Sequence, residues 1–290
     1  TLIMDTVVKT QLHLDRFRKK NKKKEVDPEK ISPHCSKLLK FFSSPEIRTV
    51  EAGLDLAASL GDPAIYDYYL EGVKVVDGTV YPGRRLLSPE QEPSADHKTA
   101  IHYAILGLIS QAPPGSKFAV ALSEQVNDCI DLPDAVSSLS YICGLRHAGG
   151  LNLGYRSKLT NLEGIEAMES LKVLAVESAE KLCFETFVES KSLRILRLRG
   201  ANVTDLGFIT KMPSLEVVLL KDCTAVRSVG TLDSMSQLKG VGFENCLSLE
   251  STIKETTINR LEYFKQVGCP KADVSTLSRG LQAVLNGQGK

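Results

Sequence analysis

No run of apolar residues in this 290-residue chain approaches the roughly 18 needed to cross a bilayer. No basic segment leads into a short apolar core of the kind that directs secretion. Charge of one sign is lacking too: 36 Lys and Arg against 35 Asp and Glu leave a formal +1. Nothing global therefore points to nucleic acid or an anionic membrane. No two of the seven cysteines form a C-x-x-C pair, which excludes the commonest thiol-redox and zinc signatures. The phosphate loop G-x-x-x-x-G-K-[ST], the H-E-x-x-H zinc motif, the G-x-S-x-G elbow and the dinucleotide fingerprint G-x-G-x-x-G are all missing. The chain opens on Thr1 rather than Met, which leaves room for a longer parent protein of which this is a sensing or regulatory region.

The residues that carry chemistry elsewhere are scattered. The histidines are His13, His34, His97, His102 and His147. His97 and His102 are five apart, which puts them on different sides of a helix and makes joint metal ligation awkward. His34-Cys35 has no third ligand nearby. Tyr66, Tyr68 and Tyr69 around Asp67 fit helix packing as well as a contact surface. No nucleophile, base and orienting group come together, so the expectation is no catalytic residue, no metal and no cofactor.

What the sequence has is a repeat. Ser170-Leu171-Lys-Val-Leu174-Ala-Val176, Ser192-Leu193-Arg-Ile-Leu196-Arg-Leu198 and Ser214-Leu215-Glu-Val-Val218-Leu-Leu220 are followed by weaker copies at Leu238–Phe243 and Leu261–Gln266. The first leucines stand at 171, 193, 215, 238 and 261, giving periods of 22, 22, 23 and 23. Alternation over the end of each phrase predicts a short strand with one buried face. Upstream the apolar spacing is three, as in Leu162, Ile165, Met168 and Leu206, Ile209, Met212, which suits a 3₁₀ return. One unit cannot bury its own apolar face, so neighbours must stack. Leu151 and Leu153 align one period upstream and predict an earlier unit.

This pattern resembles the leucine-rich-repeat family, L-x-x-L-x-L-x-x-(N/C)-x-L, in its short form, over roughly residues 139–270. The turn position holds Ala179, Ala201, Cys223, Cys246 and Cys269, and the two alanines depart from the family's Asn or Cys. The cysteines recur once per repeat, as small buried side chains would. Unpaired thiols suggest an intracellular, cytoplasmic protein. The resemblance implies an α/β fold, a right-handed curved parallel sheet in a solenoid, and is almost silent on function.

Four regions are expected: an N-terminal helix or basic arm at 1–30, a mainly helical domain with a small β-hairpin at 31–117, the solenoid at 118–270, and a C-terminal cap helix and tail at 271–290. In the second region Ser44-Pro45 predicts a helix start, with Ile47, Val50, Leu54, Ala57 and Leu60 on one face. Gly61 ends that helix and Asp62-Pro63 opens the next. Val73–Tyr81 reads as a hairpin around Asp77-Gly78. A helix follows at about 95–111, and Phe118–Leu122 reads as a strand opening the solenoid. The helical front would cover the solenoid's open end, and Val274, Leu277, Leu281 and Leu285 would close the other.

Two binding surfaces emerge. The strand positions pointing away from the core include Val173, Ile195, Val217 and Tyr263, then Arg197 and Leu219, then Arg199 and Lys221. An apolar strip beside cations has the make-up of an interface with a charged rim. It predicts a non-enzymatic scaffold or recognition subunit for an acidic protein partner. Shielding of these β-branched residues by flanking strands is the bland alternative. The basic run Arg16, Arg18, Lys19, Lys20, Lys22, Lys23 and Lys24 suits nucleic acid, or a solvated helix end. The first case predicts binding that falls steeply with salt and is lost with residues 1–26.

Overall fold

The computed structural model describes residues 32–76, 79–83, 85–86, 94–154, 158–178, 181–275 and 277–279. The basic run, the Asp77-Gly78 turn, Ala179, Leu281 and Leu285 lie outside the described residues.

Helical periodicity governs the first half. Helix α1 (Cys35–Phe42) is followed by α2 (Ile47–Leu60), whose Ile47, Val50, Leu54 and Ala57 are buried at the spacing of one helical face. The helix starts after Glu46 rather than at Pro45. The Ser44 hydroxyl accepts from the Glu46 amide at 3.1 Å, so Ser-Pro forms the turn ahead of the helix. Gly61 ends α2 in the left-handed region, φ 59°, a conformation glycine adopts without Cβ strain. Asp62 then caps α3 (Pro63–Leu70), its carboxyl accepting from the Ala64 amide at 2.9 Å with Pro63 at the first helical position. Strands β1 (Lys74–Val76) and β2 (Thr79–Tyr81) form the expected antiparallel hairpin.

Helix α4 (Ala95–Gln111) is the centre of this half: Ala100, Ile101 and the run Tyr103–Ile109 are buried. A side chain at Gly107 would meet Leu54 of α2 at 2.4 Å, so the glycine lets two helices approach closely.

One expectation fails here. Phe118–Leu122 is not a strand but part of helix α5 (Lys117–Gln125). The Ser116 hydroxyl accepts from the Ala119 amide as an N-cap, while Asp67 of α3 accepts from the Ser116 hydroxyl at 2.6 Å and the Phe118 amide at 3.2 Å. Ala119 and Leu122 are the residues α5 buries. Five mostly apolar residues fit either period, and the cap decided between them.

The solenoid's first strand is instead β3 (Cys129–Leu132), followed by β4 (Gly150–Leu153), β5 (Val173–Glu177), β6 (Ile195–Arg199), β7 (Val217–Lys221), β8 (Gly240–Glu244) and β9 (Tyr263–Val267). They form one parallel sheet in chain order. Register stacks Ile130, Leu151, Leu174, Leu196, Val218, Val241 and Phe264 in one column, and Leu132, Leu153, Val176, Leu198, Leu220, Phe243 and Gln266 in a second. Every member except Phe264 is buried. Full burial of one such aliphatic side chain stabilises by about 1.5–3 kcal/mol, so these columns form the solenoid's spine.

The three-residue spacing becomes 3₁₀ turns at Ile165–Ala167, Gly207–Lys211 and Gly230–Ser234, while the last unit returns through helix α6 (Glu255–Ile258). After each strand from β5 on the chain turns through a left-handed residue: Ser178, Gly200, Asp222, Asn245 and Gly268, with φ from 50° to 68°. Glycine, Asn and Asp are the residues that visit this region most readily. Cys223 and Cys246 are fully buried and their thiols donate to backbone carbonyls, that of Cys223 to Leu198 and Lys221. Cys269 is half-buried.

The helical layer closes the first turn of the solenoid. Glu51 of α2, only 5% exposed, accepts from the Tyr103 hydroxyl at 3.3 Å, the Ser137 amide at 3.0 Å and the Ser137 hydroxyl at 2.8 Å. Tyr141 donates to Asp55 at 3.1 Å, and the Gly144 amide to the Ser110 hydroxyl at 2.9 Å. Buried apolar positions thus exchange water-exposed edges for helix surface. At the far end Asp273 bridges to Ser251, and Leu277 is buried. Among the described residues no helix is long and apolar enough to cross a membrane.

Candidate functional site

Strand alternation sends one set of side chains into the spine and the other onto the opposite face of the sheet. In register, Gly150, Val173, Ile195, Val217, Gly240 and Tyr263 form one outer column, and Asp131, Asn152, Ala175, Arg197, Leu219, Gly242 and Lys265 the next. Glu177, Arg199, Lys221, Glu244 and Val267 form a third. The eight residues singled out from sequence, Val173, Ile195, Arg197, Arg199, Val217, Leu219, Lys221 and Tyr263, therefore share one face.

Their exposure is uneven. Val173, Ile195, Val217 and Leu219 are half-buried, so neighbouring strands shield part of the apolar strip. Arg197 and Arg199 are exposed, and Tyr263 is 48% exposed. Two glycines of the outer columns, Gly240 and Gly242, shape the surface. A side chain built on Gly242 would lie 3.0 Å from Leu219 and 3.6 Å from the Tyr263 ring. The tyrosine therefore lies across the glycine strand. The face holds a groove of about 380 Å³ lined by Ala175, Arg197, Leu219, Lys221, Gly242 and Tyr263, among others.

The charges of the groove are largely matched. Lys221 pairs with Glu244 at 2.6 Å, Lys265 reaches the other oxygen of Glu244 at 3.7 Å, and Arg199 pairs with Asp222 at 3.5 Å. The hydrogen bond from Lys221 holds the Glu244 carboxyl below its ordinary range, and the Asn245 amide, with the nearby cations, does the same for Asp222. Among the described residues Arg197 has no acidic partner. Asn152, also in the groove lining, donates to Asp131 at 2.9 Å and leaves its own amide oxygen unpaired and occluded.

The shifted groups away from the groove belong mostly to packing. Burial pushes the Tyr66 and Tyr141 hydroxyls up to about 12 and raises those of Tyr69 and Tyr103. Burial lowers the His102 imidazole against the pull of Asp131. Among the described residues no three His, Cys, Asp or Glu side chains gather as metal ligands. Sequence reasoning missed Glu51, whose position on the buried face of α2 is a polar exception to an apolar period, and the pairing of Glu244, whose partners come from the flanking strands.

No protein-family model matches the chain, and no curated protein matches it in sequence. A solved structure, the leucine-rich repeat domain of the type III effector XopL, aligns over 90% of this chain and 95% of its own at 16% identity, with a TM-score of 0.45. Seven parallel strands in chain order, one per repeat of about 22 residues, with tight turns between them, make the chain a leucine-rich-repeat solenoid with a helical N-terminal part.

Proposed function

We propose that this chain is a non-catalytic recognition module whose outer strand face receives a protein partner. The observation that carries this reading is the composition of that face. Half-buried Leu219 and exposed Tyr263 line one groove with Arg197, Arg199 and Lys221, and half-buried Val173, Ile195 and Val217 form the adjoining column. Desolvated aliphatic and aromatic groups ringed by charge are the make-up of interface cores, where aromatic and Arg anchors carry most of the affinity. The matched Lys221–Glu244–Lys265 cluster supplies orientation, and the cations steer encounter with an acidic surface.

The test compares proteins recovered from native lysate on wild type and on two variants, Leu219→Asp and the triple Arg197/Arg199/Lys221→Glu. A partner held by wild type and lost from both variants, then reproduced with purified components, supports the reading. Equal recovery from all three places the working surface elsewhere.

A further inference from the structure

Four cations project from the outer strand face: Arg197, Arg199, Lys221 and Lys265. Three already have acidic partners. Arg199 is paired to Asp222, and Glu244 holds both Lys221 and Lys265. A partner carboxylate arriving at any of these meets a cation whose charge is already shared with an anion. Arg197 is different. It is exposed, stands in register between Ala175 and Leu219, and among the described residues has no acidic partner. Its charge reaches as far as Cys129, where it opposes the effect of Asp131 and Asp128 on the thiol.

The groove around Arg197 mixes apolar and charged side chains, and its nearest neighbours in register are apolar. Ala175 and Leu219 flank it, Val173, Ile195 and Val217 run alongside, and the Tyr263 ring lies against Gly242 of β8. Acidic groups bracket this patch: Glu177 on β5, Glu244 on β8 and Asp131 on β3. The groove volume of about 380 Å³ is at the small end of ligand sites, suited to the side chains of one segment. A run of acidic residues laid across it would bring a second carboxylate against Glu177, and like charges juxtaposed at an interface disfavour binding.

We infer that the groove takes a single protein segment carrying one carboxylate among apolar side chains, with Arg197 as its anchor, and that it discriminates against polyacidic segments. A guanidinium offers a carboxylate two parallel hydrogen bonds, which the half-buried apolar walls strengthen by excluding water. This rests on the reading of the strand face as a partner site and narrows it, because Arg199 and Lys221 then contribute steering rather than contact.

The probe is a displayed library of random twelve-residue peptides, selected on wild-type protein and counter-selected on Leu219→Asp. Enriched peptides are expected to carry one Asp or Glu flanked by apolar residues. Arg197→Gln should weaken them by about tenfold or more, as should replacing their acid by its amide, while Arg199→Gln should change affinity less than about threefold. Arg197 is exposed, so its substitution leaves the fold intact, which circular dichroism checks. Polyacidic winners, or equal losses with Arg197→Gln and Arg199→Gln, overturn the inference. Peptides sensitive to Leu219→Asp but indifferent to Arg197→Gln overturn it alone and leave the strand face as the binding site. Peptides that bind wild type and Leu219→Asp equally, or no enrichment at all, overturn both readings.

Discussion

In the helical layer one carboxyl group, Glu51, accepts hydrogen bonds from Tyr103 and twice from Ser137, joining two helices to the first loop of the solenoid. In the solenoid the comparable work is spread over columns, with Leu151, Leu174, Leu196, Val218 and Val241 repeating one buried contact strand after strand. The front half is specified by single, unrepeated contacts between residues distant in sequence. The back half is specified by nearest neighbours, and its stability is approximately a sum over units and their interfaces. Loss of one contact should therefore spread differently in the two regions.

The largest effect is expected from Leu196→Ala at the middle of the buried column. Cavity formation there should cost about 2–5 kcal/mol, read by urea denaturation. Hydrogen exchange should quicken most in β5 to β7 and least in α4. Uniform loss of protection across both halves would break the comparison.

Glu51→Ala should cost about 1–3 kcal/mol, because the Tyr103 hydroxyl would keep a buried donor without its acceptor and Ser137 would lose two part-buried bonds. Here exchange should rise across the junction between α2, α4 and the loop at Ser137, with β6 to β8 unchanged. Protection lost in the distal strands would show that the capping layer, rather than neighbouring repeats, holds the solenoid together.

Ser178→Gly tests a repeated turn. Ser178 has φ 50°, where a side chain costs about 1–2 kcal/mol. Glycine also widens the unfolded ensemble, so a net gain of roughly 1 kcal/mol or less is expected in the denaturation midpoint. A loss would mean that the serine hydroxyl contributes more than its backbone strain costs.

The smallest effect concerns the charge ladder beside the strands, where Lys239 at 2.9 Å and Arg194 both hold Glu216. Lys239 first, then Arg194, keeps the Glu216 carboxyl below its ordinary 4.5. A depressed carboxyl contributes stability that is present above its ordinary value and lost as pH falls through the lowered one. Glu216→Gln should therefore narrow the melting-temperature difference between neutral and acid solution slightly, and added salt should erase that difference because the pair is exposed. An effect surviving high salt would indicate packing instead.

Much of the solenoid is readable because its local rules repeat. The column Leu174, Leu196, Val218, Val241 and Phe264 and the 3₁₀ spacing at Leu206, Ile209, Met212 follow from periodicity, and the structure places both as expected. The first strand escaped notice: Ile130-Asp131-Leu132 carries only the end of the phrase, without its leading Leu. Phe118–Leu122 shows the converse: its apolar run fits a strand, but its helix is set by Ser116 and Asp67 across the helical layer.

The candidate site divides the same way. Alternation alone placed Val173, Ile195, Val217 and Tyr263 on one face with Arg197, Leu219, Arg199 and Lys221, because register in a parallel stack follows the repeat. Which of those cations has no acidic partner among the described residues follows only from tertiary structure. Glu244 and Asp222 find Lys221, Lys265 and Arg199 across neighbouring strands, and the Tyr263 ring fills space that Gly242 leaves. Sequence by itself determined the solenoid and its strand faces, since each depends on contacts one repeat apart. The helical cap and the start of the solenoid depend on contacts between residues that no period relates, such as Glu51 with Ser137 and Asp67 with Ser116.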